Sequence, residues 1–107
     1  MTDTAKLNRL KILLGEDLPE DSVLSEYLAM AGEEIINWLY IRRDQPPEGV
    51  AVPTAYEQVQ IMSVIAAVNI IGAEGETVHT ENGTHRQFKY DDMVAYIRAH
   101  VQPYVYI

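Results

Sequence analysis

Residues 20–42, EDSVLSEYLAMAGEEIINWLYIR, form a long segment with helical periodicity. Apolar side chains recur at intervals of three and four positions, which places them on one face of an α-helix. Asp21 or Ser22 can cap the amino end of this helix. Arg42 and Arg43 put positive charge at the carbonyl end, where it interacts favourably with the helix dipole. The segment therefore predicts an amphipathic helix whose apolar face belongs to a hydrophobic core.

Three further segments follow the same spacing and predict helices over residues 4–14, 53–71 and 92–101. From Ile61 onward the second of these segments is apolar on nearly every side, so it is either central in the fold or covered by a partner. The predicted fold class is all-α: a single domain over residues 1–107, built as a small bundle of about four helices. The predicted core consists of Leu10, Leu14, Leu24, Leu28, Ile35, Trp38, Leu39, Val59, Met62, Ile65 and Ile97.

Residues 75–90 differ in pattern from the helical segments. Asn82-Gly83 is a strong signal for a two-residue type I′ turn between antiparallel strands. Such a turn would place His79 opposite Arg86. Because few side chains in this region are apolar, the sequence predicts a β-hairpin or extended loop that protrudes from the bundle.

The printed sequence closes on an apolar tail, residues 104–107 (YVYI), which follows the helix-breaking Pro103. Contiguous apolar side chains are unfavourable when they are left in water. We therefore expect the tail to dock on this chain or on a neighbouring copy.

The composition is that of a globular protein with an acidic surface. Of 107 residues, 48% are hydrophobic and 22% are charged, and the formal net charge is -8. A surface of this sign repels nucleic acid and anionic membranes at long range, which disfavours a protein that grips DNA. No apolar run approaches the roughly 20 residues needed to cross a bilayer. The absence of cysteine excludes disulfides and thiolate metal sites.

The charges are segregated along the chain. Residues 1–15 sum to +2, whereas residues 16–34 carry seven acidic side chains and no basic one. Residues 44–85 carry six acidic side chains and no lysine or arginine. One interpretation is that these are simply solvated helix faces. The other is that basic and acidic faces of neighbouring copies meet in a head-to-tail contact.

The residue types that could carry chemistry are scattered. The histidines are His79, His85 and His100, and the predicted hairpin would point the first two to opposite faces. No serine lies in a glycine-flanked elbow, and the carboxylates lie among charged neighbours that would not raise a pKa. The sequence therefore predicts no catalytic, cofactor-binding or metal-binding residue, and no enzyme.

Five stretches, taken in order, resemble the head–tail connector (adaptor) proteins of tailed bacteriophages. They are residues 10–17 (LKILLGED), 33–37 (EEIIN), 45–49 (QPPEG), 72–77 (GAEGET) and 81–86 (ENGTHR). The similarity covers about residues 5–92. Its most specific part is the GAEG sequence followed by Asn82-Gly83.

The resemblance implies an all-helical structural protein that needs no cofactor and is not an enzyme. Members of this family dock below the portal as a ring, usually of about twelve copies, and extend the channel through which DNA passes. The implied partners are further copies of the chain, the portal protein, and a tail or further connector protein. DNA passes without specific binding, and no membrane is involved. The implied location is the virion head–tail junction, with the host bacterial cytoplasm during assembly.

Residues 75–90 and the C-terminal tail have ordering signals but little means of burying themselves alone. We expect them, together with the arginines that end the second helix, to contact neighbouring subunits or the portal. The candidate interface residues are Glu76, Val78, His79, Arg86, Phe88, Arg42, Arg43, Tyr104, Tyr106 and Ile107. The alternative function is a small acidic helical regulator or inhibitor that binds a basic protein partner, most tightly at low salt.

Overall fold

The computed structural model describes residues 1–15, 18–42, 45–71 and 85–105, and for residues 69–71 and 85–87 the backbone alone. Its elements in chain order are α1 (Asp3–Leu14), α2 (Asp21–Leu39), a short 3-10 turn (Thr54–Tyr56) that leads into α3 (Glu57–Ala67), β1 (Val68–Ile71), β2 (His85–Phe88) and α4 (Tyr90–His100). The four helices in this part of the chain confirm the predicted all-α class.

The local sequence sets both ends of α1. Thr2 accepts a hydrogen bond at Oγ1 from the backbone N–H of Ala5 at 3.0 Å, which satisfies one of the free amides of the first turn. At the other end Gly15 has a φ of +83°, a conformation that strains any residue with a Cβ. The N–H of Gly15 donates to the Lys11 carbonyl at 3.1 Å. The helix predicted over residues 4–14 is therefore confirmed.

The helix α2 ends at Leu39, three residues before the predicted end at Arg42. In a longer helix the Leu39 carbonyl would accept a hydrogen bond from the fourth residue onward. That carbonyl instead accepts a hydrogen bond from the backbone N–H of Tyr104 at 2.9 Å. The C-terminal tail therefore supplies the hydrogen bond to the Leu39 carbonyl that the next turn of the helix would have supplied.

The helices are arranged around the pair α2 and α3. Both α1 and α4 pack against both members of this pair, and α1 and α4 make almost no contact with each other. Since they share the same two supports without meeting, α1 and α4 lie on opposite sides of the α2–α3 pair. The bundle therefore has an α1 edge and an α4 edge.

The core is formed by apolar side chains from all four helices and from β1. These side chains are Leu10, Leu14, Leu24, Leu28, Ala31, Ile35, Leu39, Ile61, Val64, Ala67, Val68, Met93, Ile97 and Val101. The predicted core members on α1, α2 and α4 are confirmed, except that Trp38 is half-buried at the margin.

On α3 the predicted core face is wrong. Val59, Met62 and Ile65 are only half-buried. The face that packs against the other helices carries Glu57, Gln60, Ile61, Ser63, Val64 and Ala67. Because this segment is apolar on nearly every side, periodicity could not select a face, and the polar side chains argued against the one that is buried.

The helix predicted to run to residue 71 ends at Ala67, and β1 continues from it. Val68, Ile70 and Ile71 are β-branched and favour a strand, but an apolar run of this length cannot be separated from a buried helix by periodicity. β1 pairs antiparallel with β2, and Arg86 lies opposite Ile70. The predicted partner of Arg86 across the hairpin, His79, lies outside the described residues. The Asn-Gly turn and residues 72–84 lie outside the described residues.

Replacing Gly32 by alanine is expected to lower the free energy of unfolding by about 1–2 kcal/mol, although alanine is the better helix former. A Cβ at this buried position would lie 3.0 Å from Gln60 Nε2 and 3.4 Å from Val52 Cγ2. The amide of Gln60 is held by two hydrogen bonds and has little freedom to move away. Urea unfolding of the variant measures the effect.

A matched control for this prediction is Ala29→Gly at an exposed position of the same helix. This variant should lower the free energy of unfolding by about 1 kcal/mol, because glycine is a poorer helix former than alanine. A Gly32→Ala variant that is more stable than the parent would contradict the close packing described here.

Candidate functional site

A buried polar cluster joins α1, α2 and α3. Lys6 donates from Nζ to Gln60 Oε1 at 2.7 Å, and Gln60 donates from Nε2 to the Leu28 carbonyl at 2.7 Å. Lys6 Nζ also lies 3.7 Å from Glu57 Oε2. The α-ammonium group of Met1 donates to the same carboxylate oxygen at 3.0 Å. Lys6, Glu57 and Gln60 are all buried, so these contacts are largely shielded from water.

This cluster was not predicted from the sequence. Leu7, Leu10 and Leu14 form an apolar stripe along α1, and Lys6, one position before that leucine stripe, reads as a solvent-facing residue. The available signal was the pair Gln60 and Ser63, polar residues inside an otherwise apolar helix. Ser63 donates from Oγ to the Gln60 carbonyl at 2.8 Å within α3.

The electrostatics of the cluster favour the ionised form of Glu57. The hydrogen bond from the Met1 α-ammonium group is the main cause that lowers the pKa of Glu57 below its ordinary value. Partial burial acts in the opposite direction, while the charges of the α-ammonium group and Lys6 add to the lowering. The carboxylate is thus paired with two cations and is not poised as a general acid or base at neutral pH.

The lowered pKa of Glu57 predicts a loss of stability in acid. Its pKa is higher in the unfolded chain, so the unfolded state takes up the proton first as the pH falls. The stabilisation by this carboxylate should be complete at neutral pH and should be lost as the pH drops below the ordinary glutamate value of 4.5. Unfolding midpoints measured between pH 7 and pH 3 test this expectation.

The control for the acid effect is Glu57→Gln, which keeps the size of the side chain and removes its charge. This variant should be less stable than the parent at neutral pH and should lose less stability on acidification. Parallel pH profiles for parent and variant would contradict the assigned role of Glu57.

The C-terminal tail docks on α2 of the same chain. Trp38 donates from Nε1 to the Val101 carbonyl at 2.8 Å, and the backbone N–H of Tyr104 donates to the Leu39 carbonyl at 2.9 Å. The Tyr104 ring meets the Tyr40 ring edge-on with centroids 5.1 Å apart. Of the two outcomes expected for the tail, docking on this chain is therefore the one observed, as far as Tyr104.

The docked tail still presents apolar surface to solvent. Val105 is 67% exposed, and Tyr104 is 38% exposed. Of the predicted interface residues in the tail, Tyr104 is therefore partly exposed to solvent. Tyr106 and Ile107 lie outside the described residues.

The paired strands are anchored to the bundle at their base. The ring of Phe88 stacks on the ring of Tyr27 with centroids 4.0 Å apart and planes 9° apart. The backbone N–H of Lys89 donates to the Ala67 carbonyl at 2.8 Å, which joins the start of α4 to the end of α3. Phe88 is thus a link between this region and α2, and it is only half-buried.

The remaining predicted interface residues do not form one described surface. Arg42 is exposed just beyond α2, and Arg86 lies in β2 opposite Ile70. Arg43 and the residues of the predicted hairpin, namely Glu76, Val78 and His79, lie outside the described residues.

The structure exposes apolar side chains that the sequence analysis did not select. Ile12 is 78% exposed and Leu13 is 49% exposed on the outer side of α1. They line an open groove in which Arg9 donates from Nη1 to Gln58 Oε1 at 3.0 Å. The sequence places Ile12 and Leu13 off the helical stripe of Leu7, Leu10 and Leu14, but this placement does not show whether another helix covers them.

The described part of the chain gives no support to a metal centre or a membrane span. It contains no group of three or more histidine, cysteine or carboxylate side chains placed to hold a metal ion. His100 is engaged within α4, where its ring stacks on Tyr96 and Nδ1 lies 2.8 Å from the Tyr96 carbonyl oxygen. None of the described helices is long and apolar enough to cross a membrane.

Comparison with known protein families identifies a match. A family model described as phage gp6-like head-tail connector protein matches residues 4–104. No curated protein and no solved structure matches the chain. The family match includes α2, α3, α4, all of α1 except its first residue, and the tail as far as Tyr104.

Proposed function

Since the chain belongs to the phage gp6-like head–tail connector family, we propose that it is an adaptor whose copies form a ring under the portal. In this role the ring extends the DNA channel at the head–tail junction and offers a docking surface to the tail or to a further connector. The observation that carries the proposal is the family match over nearly the whole chain. That family is structural, and the chain is accordingly a structural phage protein.

The described surface is compatible with a subunit that is covered when it is assembled. Ile12 and Leu13 expose large apolar side chains next to each other on α1. Grouped apolar surface of this kind marks contacts with other proteins. The negative net charge of -8 supports passage of DNA without adhesion, because an acidic channel repels phosphates.

We assign the neighbour and portal contacts to the base of the paired strands and to the tail. Phe88 and Tyr104 combine a fixed backbone with a partly exposed ring, a combination that suits an anchor residue at an interface. We propose that Arg42 and Arg86 also contact a neighbouring subunit or the portal. The proposed contacts outside the described residues are Arg43, Glu76, Val78, His79, Tyr106 and Ile107.

The test is native mass spectrometry of the full chain over a concentration series, with negative-stain images of the same samples. The series is then repeated with the portal protein encoded beside it. The expected result is a closed ring of about twelve subunits, alone or on the portal. A chain that neither forms a ring nor binds the portal contradicts the proposal.

The same experiment separates the adaptor from the alternative regulator. A regulator would remain a monomer or dimer and would ignore the portal. It would instead bind a basic partner through the exposed acidic side of α2, which carries Glu26 and Glu33, and salt would weaken that complex steeply. Portal binding that survives physiological salt favours the adaptor.

A further inference from the structure

The α1 edge of the bundle is an apolar surface with a positive charge at one end. Ile12 and Leu13 lie one helical turn after Arg9, and the small Ala5 and the polar Asn8 continue the same groove. The guanidinium group of Arg9 is exposed. A partner that fits this surface needs a complementary helix with small side chains beside a negative charge.

The α4 edge, on the other side of the α2–α3 pair, has those properties. Its first turn carries the exposed carboxylates Asp91 and Asp92, and the small Ala95 and Ala99 are exposed one and two turns later. Arg98, in the last turn of α4, lies over the Trp38 ring at 4.9 Å from its centroid. Its cation therefore stays close to the tail. The exposed Lys89 precedes the two carboxylates at the start of α4, and the three side chains together keep a net negative charge.

The two edges match in spacing as well as in charge. On α1 the charged Arg9 precedes the bulky apolar Ile12 and Leu13 by three and four residues. On α4 the charges precede Ala95 by three and four residues. Parallel helices would thus set Arg9 against Asp91 and Asp92 while Ile12 and Leu13 pack over the alanines. An antiparallel arrangement would separate the charges once the apolar side chains were aligned.

We propose that α1 of one copy packs in parallel against α4 of the next copy. The two surfaces differ and lie on opposite sides of the bundle, so the contact is head-to-tail and repeats from copy to copy. The occupant of the α1 groove is thus a second copy of this chain. This inference rests on the proposed ring, to which it adds a specific pair of helices.

Cysteine cross-linking tests the pairing directly, because the chain contains no cysteine of its own. The full chain carrying Ile12→Cys and Ala95→Cys should oxidise to a ladder of covalent oligomers. Each single variant should give no ladder. The control combines Ile12→Cys with Asn37→Cys, an exposed position of α2, and should also give none.

A mixing experiment tests the head-to-tail geometry without a cross-link. Ile12→Asp should disable the α1 edge and Ala95→Glu the α4 edge, each raising the concentration needed for assembly roughly tenfold or more. The two introduced charges have the same sign, so the variants cannot restore each other's lost contact. Both positions are exposed, so the thermal midpoints should not change. An equimolar mixture should stop at dimers, since only one intact contact remains for each pair.

The outcomes separate this inference from the proposed ring. Rings that form without the 12–95 cross-link overturn the helix pairing and leave the adaptor function standing. A covalent dimer of the Ile12→Cys variant alone also overturns it, because that product needs α1 to face α1. A chain that neither assembles nor binds the portal overturns the adaptor function together with the pairing.

Discussion

Replacing Gln60 by alanine is expected to lower the free energy of unfolding by about 3 kcal/mol. Gln60 is the side chain through which α1, α2 and α3 are joined, since it accepts from Lys6 and donates to the Leu28 carbonyl. Its removal takes the hydrogen-bond acceptor away from the buried ammonium group of Lys6. That group then keeps the Glu57 carboxylate, 3.7 Å away, as a partner. The substitution also leaves a cavity at a position that is 5% exposed. For a chain of this size the midpoint of thermal unfolding should fall by about 10–15 °C.

The matched control for this variant is Gln58→Ala, two residues earlier in α3. Gln58 is exposed and accepts a hydrogen bond from Arg9 at the surface, so its removal should change stability by less than about 0.5 kcal/mol. Thermal melts followed by circular dichroism compare the two. If both variants melt with the parent, the cluster makes no net contribution to stability.

Replacing Trp38 by alanine is expected to lower the free energy of unfolding by about 3–4 kcal/mol and to release the C-terminal tail. The indole packs at the margin of the core, donates to the Val101 carbonyl and supports Arg98 on its face. Phenylalanine at this position keeps most of the apolar contact and loses the hydrogen bond, so Trp38→Phe should cost only about 1–2 kcal/mol. Urea unfolding provides both values.

Release of the tail has its own readout. In the Trp38→Ala variant, limited proteolysis should cleave the chain after residue 100 under conditions in which the parent resists. The control is Arg98→Ala, which removes only the cation over the ring and should cost less than about 1 kcal/mol. A tail that stays resistant in the alanine variant would contradict its anchoring by Trp38.

The sequence was sufficient to predict the helical class and the ends of α1, because each rests on local chemistry. The leucine stripe, the threonine cap and Gly15 all act within one or two turns of the chain. The family resemblance was likewise carried by short stretches, and the family match over residues 4–104 confirms it.

The errors arose where distant residues decide the structure. The end of α2 depends on Tyr104, more than sixty positions away, whose N–H occupies the Leu39 carbonyl. The buried face of α3 depends on Lys6 of α1, which provides a partner for Gln60. Apolar periodicity within α2 or α3 does not contain this information. It therefore predicted an end of α2 three residues too late and the wrong buried face for α3.

The candidate site was only partly accessible to sequence reasoning. Phe88 and Tyr104 were selected as poorly buried aromatic residues, and the structure explains how each is anchored. Ile12 and Leu13 were overlooked, because a bundle of unknown topology does not reveal which edge of α1 remains uncovered. The role of the selected residues in assembly stays a prediction.

The position of Gln60 also has an evolutionary consequence. Its amide bonds to Lys6 and to the Leu28 carbonyl, and it fills the space that a side chain at Gly32 would need. A lineage that replaces the glutamine by a small apolar residue loses the acceptor for the lysine and gains room for alanine at position 32. The residues at positions 6, 32 and 60, which are far apart in the sequence, should therefore co-vary among related connectors.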